Sequence, residues 1–494
     1  MKSRSRLMTS AALVGVLHFA PTAGFAETLN INHPLAFGAE TNLDPIDASR
    51  LSPGIQIVYD RLVRPALENG APEPALATEW STNEGATEWT FLLREGVTFH
   101  DGSTFDASDV AYTFNRVIDP DTDVPVKAVL SIIDTIDVID ATHVRFNLKS
   151  SHADFPLLLL DFRAQIIPEG SGDTIADTGI GTGPFMLQTL DAEGVTELVV
   201  NPDYWDGASS LDGINIVGIS DTGAAQQAFA AGQLDYISGL SAEQQAALGD
   251  GFTYQIVTDG GWRAIVFNTQ TEEFSDPRLR KALRILANRE QIIERALGAG
   301  GGAVACDNPV WPGDPYYIDL ECDQDQEEAK RLLAEAGHAD GLTVEVFTSP
   351  LDATWAPMLE VYQAQAREVG VDVQITTVPS DGFWNDVWMK QPATTTYWGS
   401  RPADQILNEA FRSGAKWNET FWNDPEFDAA LDAARAELDP DRRAQLYHNL
   451  QRTLYEEGGA FIPFFLNNVK AVQPNVTWPN ANTNSQRWNL ITKN

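Results

Sequence analysis

The stretch TTTYWGSRPADQIL, residues 394–407, sets Trp398 and Gly399 beside Arg401 and Asp404 in a chain with far more acids than bases. A guanidinium enclosed in a cleft pairs bidentately with a carboxylate or phosphate and stacks on an indole face. On a plain surface loop the same arginine would only pair with Asp404 or Glu409. Thirteen tryptophans are many for this length, and Trp262, Trp384, Trp388, Trp398, Trp417 and Trp422 fall in stretches that read as loops. Most tryptophans fill cores. A cluster of them between elements is also how a concave ligand site is lined, with a few polar groups setting orientation.

Catalytic patterns are largely missing. The sequence has no GxxxxGK[ST] phosphate loop, no GxSxG nucleophile elbow and no HExxH zinc helix. GIGTGPF, 179–185, resembles a nucleotide-binding turn only in its glycines, because no basic residue follows, and it reads as a structural turn. Seven histidines occur, none spaced as a ligand pair on one helix. His100 beside Asp101 has the types of a metal or catalytic fragment, yet FHDG also simply caps a hairpin. Acids are too numerous for any Asp or Glu pair to mark general acid–base work. Catalysis, metal and cofactor therefore have no candidate residues, and an exported hydrolase would need a histidine–carboxylate pair in a cleft. Cys306 and Cys322 flank a proline-rich stretch, and in an exported protein such a pair forms a disulfide worth roughly 3 kcal/mol. Two thiols without neighbouring histidines would leave a zinc shell half empty.

The elements that must position these residues alternate between helix and strand. LTVEVFTS (342–349) alternates as a strand, TWAPMLEVYQAQAREVG carries a helix that Gly370 can end, and VDVQITTV (371–378) alternates again. This is a βαβ unit with a parallel pair. Asp276 and Pro277 open a helix through RLRKALRILA, and a second runs from about Arg289 to Gly298. Ala329, Leu332, Leu333 and Ala336 fall on one helical face closed by Gly337. DPEFDAALDAARAEL and DPDRRAQLYHNLQRTLYEEGG read as amphipathic helices, with FIPFF as a buried strand. The first 200 residues differ: EWTFLLREGVTFHDGSTF implies antiparallel strands, and Val110, Phe114 and Val117 mark a helix packed on them. A length of 494 residues exceeds one core, so two or three lobes are expected, with a junction near GGWRAIVFNT, 260–269.

Residues 1–26 read as a secretory signal: Lys2, Arg4 and Arg6 precede a mostly apolar run to Ala20, and Gly24-Phe25-Ala26 sets the cut after Ala26. The run falls short of the ~20 residues that a membrane span needs. No later stretch crosses a bilayer, so the mature chain is expected to be soluble, and no cysteine near the cut would carry lipid. Cleavage moves the formal net charge from -37 to -40, since the segment holds three bases and no acids. Nucleic acid and anionic lipid become poor partners. The acidity is otherwise that of a well-solvated surface.

Taken in order, several segments resemble the extracytoplasmic solute-binding proteins of the dipeptide, oligopeptide and nickel type, family 5, which serve ABC importers. They are LDPIDASRLSPGIQIVYDRLVRP (43–65), PALATEWSTNEGATEWTFLLREGVTFHDGSTFDASDVAYTFNRV (74–117), GTGPFML (181–187), NPDYWDG (201–207), FSDPRLRKALRILANREQIIERAL (274–297), AKRLLAEAG (329–337) and WNETFWNDPEFDAALDAARAE (417–437). The resemblance implies an α/β, two-lobed periplasmic binding protein of the type II-like, venus-flytrap kind, with an α+β domain inserted in the first lobe. Lobe I would comprise 27–57, 191–264 and 471–494, the insert 58–190, and lobe II 265–470, with hinge crossings near 264 and 470. It implies a monomer that catalyses nothing, needs no cofactor, and hands a small solute or short peptide to an inner-membrane permease and its ATPase.

The resemblance also exposes a departure. Peptide-binding relatives place an aspartate for the peptide amine a few residues after a tryptophan like Trp398; here that position is Arg401, and Asp404 falls at a more general acidic position. Dipeptide binders carry an arginine for the carboxylate after the strand matching 342–348, where this chain reads TSPLDATW. The expectation is an acidic group held by Arg401, apolar walls from Trp262, Trp398, Trp417 and Trp422, a hydrogen bond from Asn418, and Trp384, Gly399 and Asp404 close by. A short peptide or peptide-like acid fits this best; an opine or oligosaccharide is the alternative in the same fold. Nickel fits poorly, because no histidine falls in the segments assigned to the cleft.

Overall fold

Two long strands organise the chain. Thr253–Phe267 and Ala460–Val472 pair antiparallel from Thr253↔Val472 to Val266↔Ala460. The computed structural model describes residues 27–33, 42–47, 52–67, 70–124, 126–191, 194–479 and 486–494; the signal segment read at 1–26 lies outside them. Beyond Thr253–Phe267 the sheet continues through Ala393–Trp398, Leu342–Thr348 and Val371–Thr377. Beyond Ala460–Val472 it continues through Tyr236–Ile237, Thr28–His33, Gly213–Gly218, Val195–Val200 and Phe185–Thr189. The positions read as hinge crossings, 264 and 470, fall inside the two long strands.

The ladder between these strands shifts register twice, at its widest between Thr258 and Trp262, across Asp259-Gly260-Gly261, and again between Arg263 and Ile265. Gly260 has φ +80, and a Cβ there would meet Trp311 at 2.6 Å and the Ser400 hydroxyl at 2.7 Å, so only glycine fits.

In the second lobe, Leu342–Thr348 and Val371–Thr377 pair parallel in the register Leu342↔Val371, with the helix Trp355–Glu368 between them. Gly370, at φ +86, ends that helix. The helices starting at Pro277, Arg289, Pro425 and Pro440 each carry a side-chain cap, from Asp276, Asn288, Asp424 and Asp439. Such a cap is worth about 1 kcal/mol. Ala329, Leu332 and Leu333 are buried against this lobe's core, as their spacing requires.

The insert has its own core. Ala77–Thr82, Glu88–Leu93, His143–Leu148 and Ile133–Asp140 form an antiparallel sheet in that order. The helix Ala107–Ile118, opened by an Asp106/Asp109 capping box, buries Val110, Phe114 and Val117 against it. Phe91, Phe114, Phe146 and Phe155 meet in tilted or edge-on pairs inside this core.

Candidate ligand-binding site

A cavity of about 430 Å³ opens between the insert and the second lobe, within the size range of small-molecule sites. One wall is the segment Leu157–Arg163 of the insert; the other is made by residues around Trp311–Pro315, Ser400–Glu409 and Trp417. The walls are brought together at both levels of chemistry. Leu157 joins the core cluster that holds Trp262, Trp398 and Trp422. Gly70 and Gly313 approach so closely that a Cβ on Gly70 would meet the Gly313 carbonyl at 2.4 Å.

A buried polar seam runs beside the cavity. His152 Nε2 lies 3.3 Å from Asp404, Ala153 N–H donates to the Arg435 carbonyl, and Asp154 accepts from the Tyr316 hydroxyl at 2.7 Å and pairs with Arg443 at 2.9 Å. Asp404 also accepts from Arg435 at 2.7 and 3.0 Å and from Tyr447 at 3.2 Å. Burial alone would raise the Asp404 carboxyl; the His152 hydrogen bond and the charges of His152 and Arg435 outweigh it and hold the group well below the usual carboxylate range. Asp404 is therefore engaged in the seam and does not line the 430 Å³ cavity. This histidine–carboxylate pair has a carboxylate saturated by an arginine and a tyrosine.

Arg401 and Trp417 do line the cavity. The Arg401 side chain is 38% exposed, donates Nη1–H to its neighbour Ser400 carbonyl, and has Glu409 Oε2 at 3.9 Å; it makes no pair with Asp404. Trp417 stands edge-on to Trp398 at 6.0 Å, and Trp398 stacks at 6.1 Å on Trp262, its partner across the strand ladder. Both inner tryptophans are buried, so they support Trp417 from behind. Trp398 donates Nε1–H to Glu419, as do Trp388 and the Thr396 hydroxyl. Burial pushes the Glu419 carboxyl up to about 7 against the lowering effect of those three donors.

The other residues expected at the site are placed as supports. Asn418 is buried and donates to the carbonyls of Arg412 and Trp422, tying its own loop. Trp422 packs edge-on against Phe427. Trp384 packs among Trp355, Phe383, Trp388 and Tyr397. Gly399 is exposed beside Arg401. In TSPLDATW, Asp352 holds Arg263, which reaches that strand end from Thr253–Phe267 with a 2.6 Å contact. His100 bridges Gly181 N–H and the Gly183 carbonyl, so FHDG and GIGTGPF build one turn.

The insert wall was not visible in the sequence. There, Arg163 is bound bidentately by Asp161 at 2.9 and 3.0 Å and lies over Phe162. Asp314 accepts from the backbone of Tyr316 and Ala403, and burial pushes it up to about 7. The interrupted apolar run LLLLDFRAQII was the available signal for Asp161 and Arg163.

Residues 71–419 match the profile of the bacterial extracellular solute-binding proteins, family 5 Middle. The chain belongs to this family. The family 5 chain is 27% identical over 455 residues to heme-binding protein A of Haemophilus influenzae, covering 83% of this chain and 82% of that one. It is 26% identical over 459 residues to the glutathione-binding protein GsiB of Salmonella typhimurium, covering 88% and 89%. The structure of HbpA2 from Haemophilus parasuis superposes with a TM-score of 0.84 at 23% identity, covering 94% of this chain and 99% of that one, which establishes the shared two-lobed fold. Among the described residues no helix of this family 5 protein is long and apolar enough to cross a membrane. None of its described His, Cys, Asp or Glu side chains gather into a group of three able to hold a metal. Cys306 and Cys322 are bonded, with Cα atoms 5.4 Å apart.

Proposed function

We propose that this chain is the periplasmic solute-capturing component of an ABC importer, binding a short peptide or peptide-like acidic solute in the cavity between insert and second lobe. The observation that carries this reading is that Arg401 lines that cavity beside Trp417 with its side chain 38% exposed and its nearest carboxylate only at 3.9 Å. A carboxylate of the solute completes the guanidinium, and the aromatic wall takes the solute's apolar body. No bond is made or broken. The solute's extra contacts in the closed arrangement supply the free energy of closure, and the closed monomer then docks on a permease driven by its ATPase. Export with cutting after Ala26 places it where such a permease would be met. Family membership supports the transport role, and relatives named for glutathione and heme support small organic solutes as cargo.

The decisive experiment is calorimetric titration of the mature protein with acidic peptides. Arg401→Ala is expected to weaken binding about 30-fold or more, the effect of truncating one partner of a buried charge pair. Affinity within threefold of wild type would remove Arg401 from the site. Recovering the peptides intact after incubation separates capture from hydrolysis.

A further inference from the structure

Trp311, Gly313, Asp314 and Pro315 supply one stretch of the second-lobe wall of the cavity, and none of them belongs to a helix or strand. They sit at the tip of the loop that the Cys306–Cys322 bond closes at its base. A second fastening comes from Gln451, a fully buried residue of the helix Pro440–Glu457 that does not itself line the cavity. Its Oε1 accepts from Asn308 Nδ2 at 2.9 Å and from the Ile318 N–H at 3.2 Å. Its Nε2 donates to the Tyr316 carbonyl at 2.6 Å and to the Tyr447 carbonyl of its own helix at 3.0 Å. Asn308 Nδ2 also donates to the Ile318 carbonyl at 3.1 Å, so both legs of the loop are pinned on one amide.

From there the fastening reaches the cavity through short contacts. The Tyr316 N–H donates to Asp314 Oδ1 at 2.8 Å, and Asp314 Oδ2 accepts from the Ala403 N–H at 2.8 Å, just past Arg401. The Tyr316 hydroxyl donates to Asp154 of the insert. A buried amide with every hydrogen bond made fixes orientation as well as position, because turning or removing it strands several backbone groups together. We propose that Gln451 is a positioning residue for solute capture, setting the Trp311–Pro315 wall and, through Asp314, the start of the helix beside Arg401. The inference rests on the reading of this cavity as the solute site. The disulfide has the lesser part, because it ties the base of the loop on the far side of the Asn308–Ile318 cross-link from the tip. A wall ordered in advance spares the solute the cost of ordering it.

Hydrogen–deuterium exchange of the empty mature protein, at a temperature where each variant is fully folded, separates the two fastenings. Gln451→Met keeps the side chain's length and removes its hydrogen bonds. It is expected to speed exchange at the amides of Asp314, Tyr316, Ile318 and Ala403 about tenfold or more, with Leu342–Thr348 unchanged as the reference. Replacing both cysteines, Cys306→Ser with Cys322→Ser, should leave those amides within about threefold of wild type. Should Gln451→Met not fold, Gln451→Asn serves instead: it keeps a polar amide but is one methylene too short to span both legs of the loop, and the same amides should speed up. Calorimetric titration with the acidic dipeptide phenylalanyl-glutamate should show affinity about tenfold weaker in the Gln451 variant. A variant that melts earlier yet keeps either the amide exchange or the dipeptide affinity within about threefold of wild type would make Gln451 a stabilising residue only and overturn the proposal. Equal loosening of the wall in the double serine variant would overturn it too. If the dipeptide does not bind the wild-type protein, the acidic-solute reading falls by itself, and exchange in the empty protein still decides whether Gln451 sets the wall.

Discussion

Glu419 shows how one side chain can hold a binding wall without touching its ligand. It receives two indole N–H groups and a hydroxyl in a fully buried setting, and it fixes Trp398, on which Trp417 leans. Its folded carboxyl titrates near 7 and its unfolded one near the ordinary value of 4.5. Between those values the folded state binds more protons, so this contribution is fully present below the unfolded value and is lost as pH rises through 7. Asp404 has the opposite sign: its depressed carboxyl adds stability above the unfolded value, lost only in strong acid. Thermal or urea unfolding between pH 4.5 and 8 should therefore show a decline with pH to which the raised Asp314 carboxyl also contributes, and Glu419→Gln should remove on the order of 3 kcal/mol of it across the window. An unchanged slope in the variant would show that Glu419 does not titrate there. Residues of the same type were not separable in the sequence. Trp398 and Trp417 look alike as letters, and only packing reveals that one is a support and the other a surface. Arg401 could be singled out because its sign stood against a family pattern; Glu409 had no such contrast.

Elements with local signals could be read directly. Asp-Pro pairs opened helices where Asp276, Asp424 and Asp439 now cap them, and alternation marked the parallel pair around Trp355–Glu368. What could not be read was the partner wall, because Leu157–Arg163 meets Trp311 and Arg401 only through tertiary packing across a long separation in sequence. The break in the central ladder sits under the opposite wall. Gly260→Ala would strain a left-handed residue and push a methyl into Trp311 and Ser400, both of which line the cavity. Expected are a stability loss of about 1–2 kcal/mol and a weakening of solute binding larger than that loss alone would give, read by calorimetry at a temperature where the variant is fully folded. Unaltered affinity would detach the break from the site.

At the scale of the whole molecule, the family 5 fold is one large sheet running through both lobes, with the insert, built on its own antiparallel sheet and core, applied to the second lobe through a buried polar seam. The large negative charge, -37 over the full sequence, is a property of the solvated surface, yet four cations gather here: Arg435 and Arg443 in the seam, and Arg163 and Arg401 on the cavity wall. Because Thr253–Phe267 and Ala460–Val472 are shared by both lobes, the molecule resembles a torsion bar notched at Asp259-Gly260-Gly261. Such a bar concentrates twist at its notch and leaves the segments on either side stiff. In hydrogen–deuterium exchange, amides of 253–257 with 469–472 and those of 263–266 with 460–464 should stay protected as two blocks, while 259–261 exchanges fast and slows when solute is added. Uniform protection through the notch would mean that the bar turns somewhere else. The lobes would then move like two ends of one elastic ribbon, with the glycine pair setting how little energy the solute must supply to wind it.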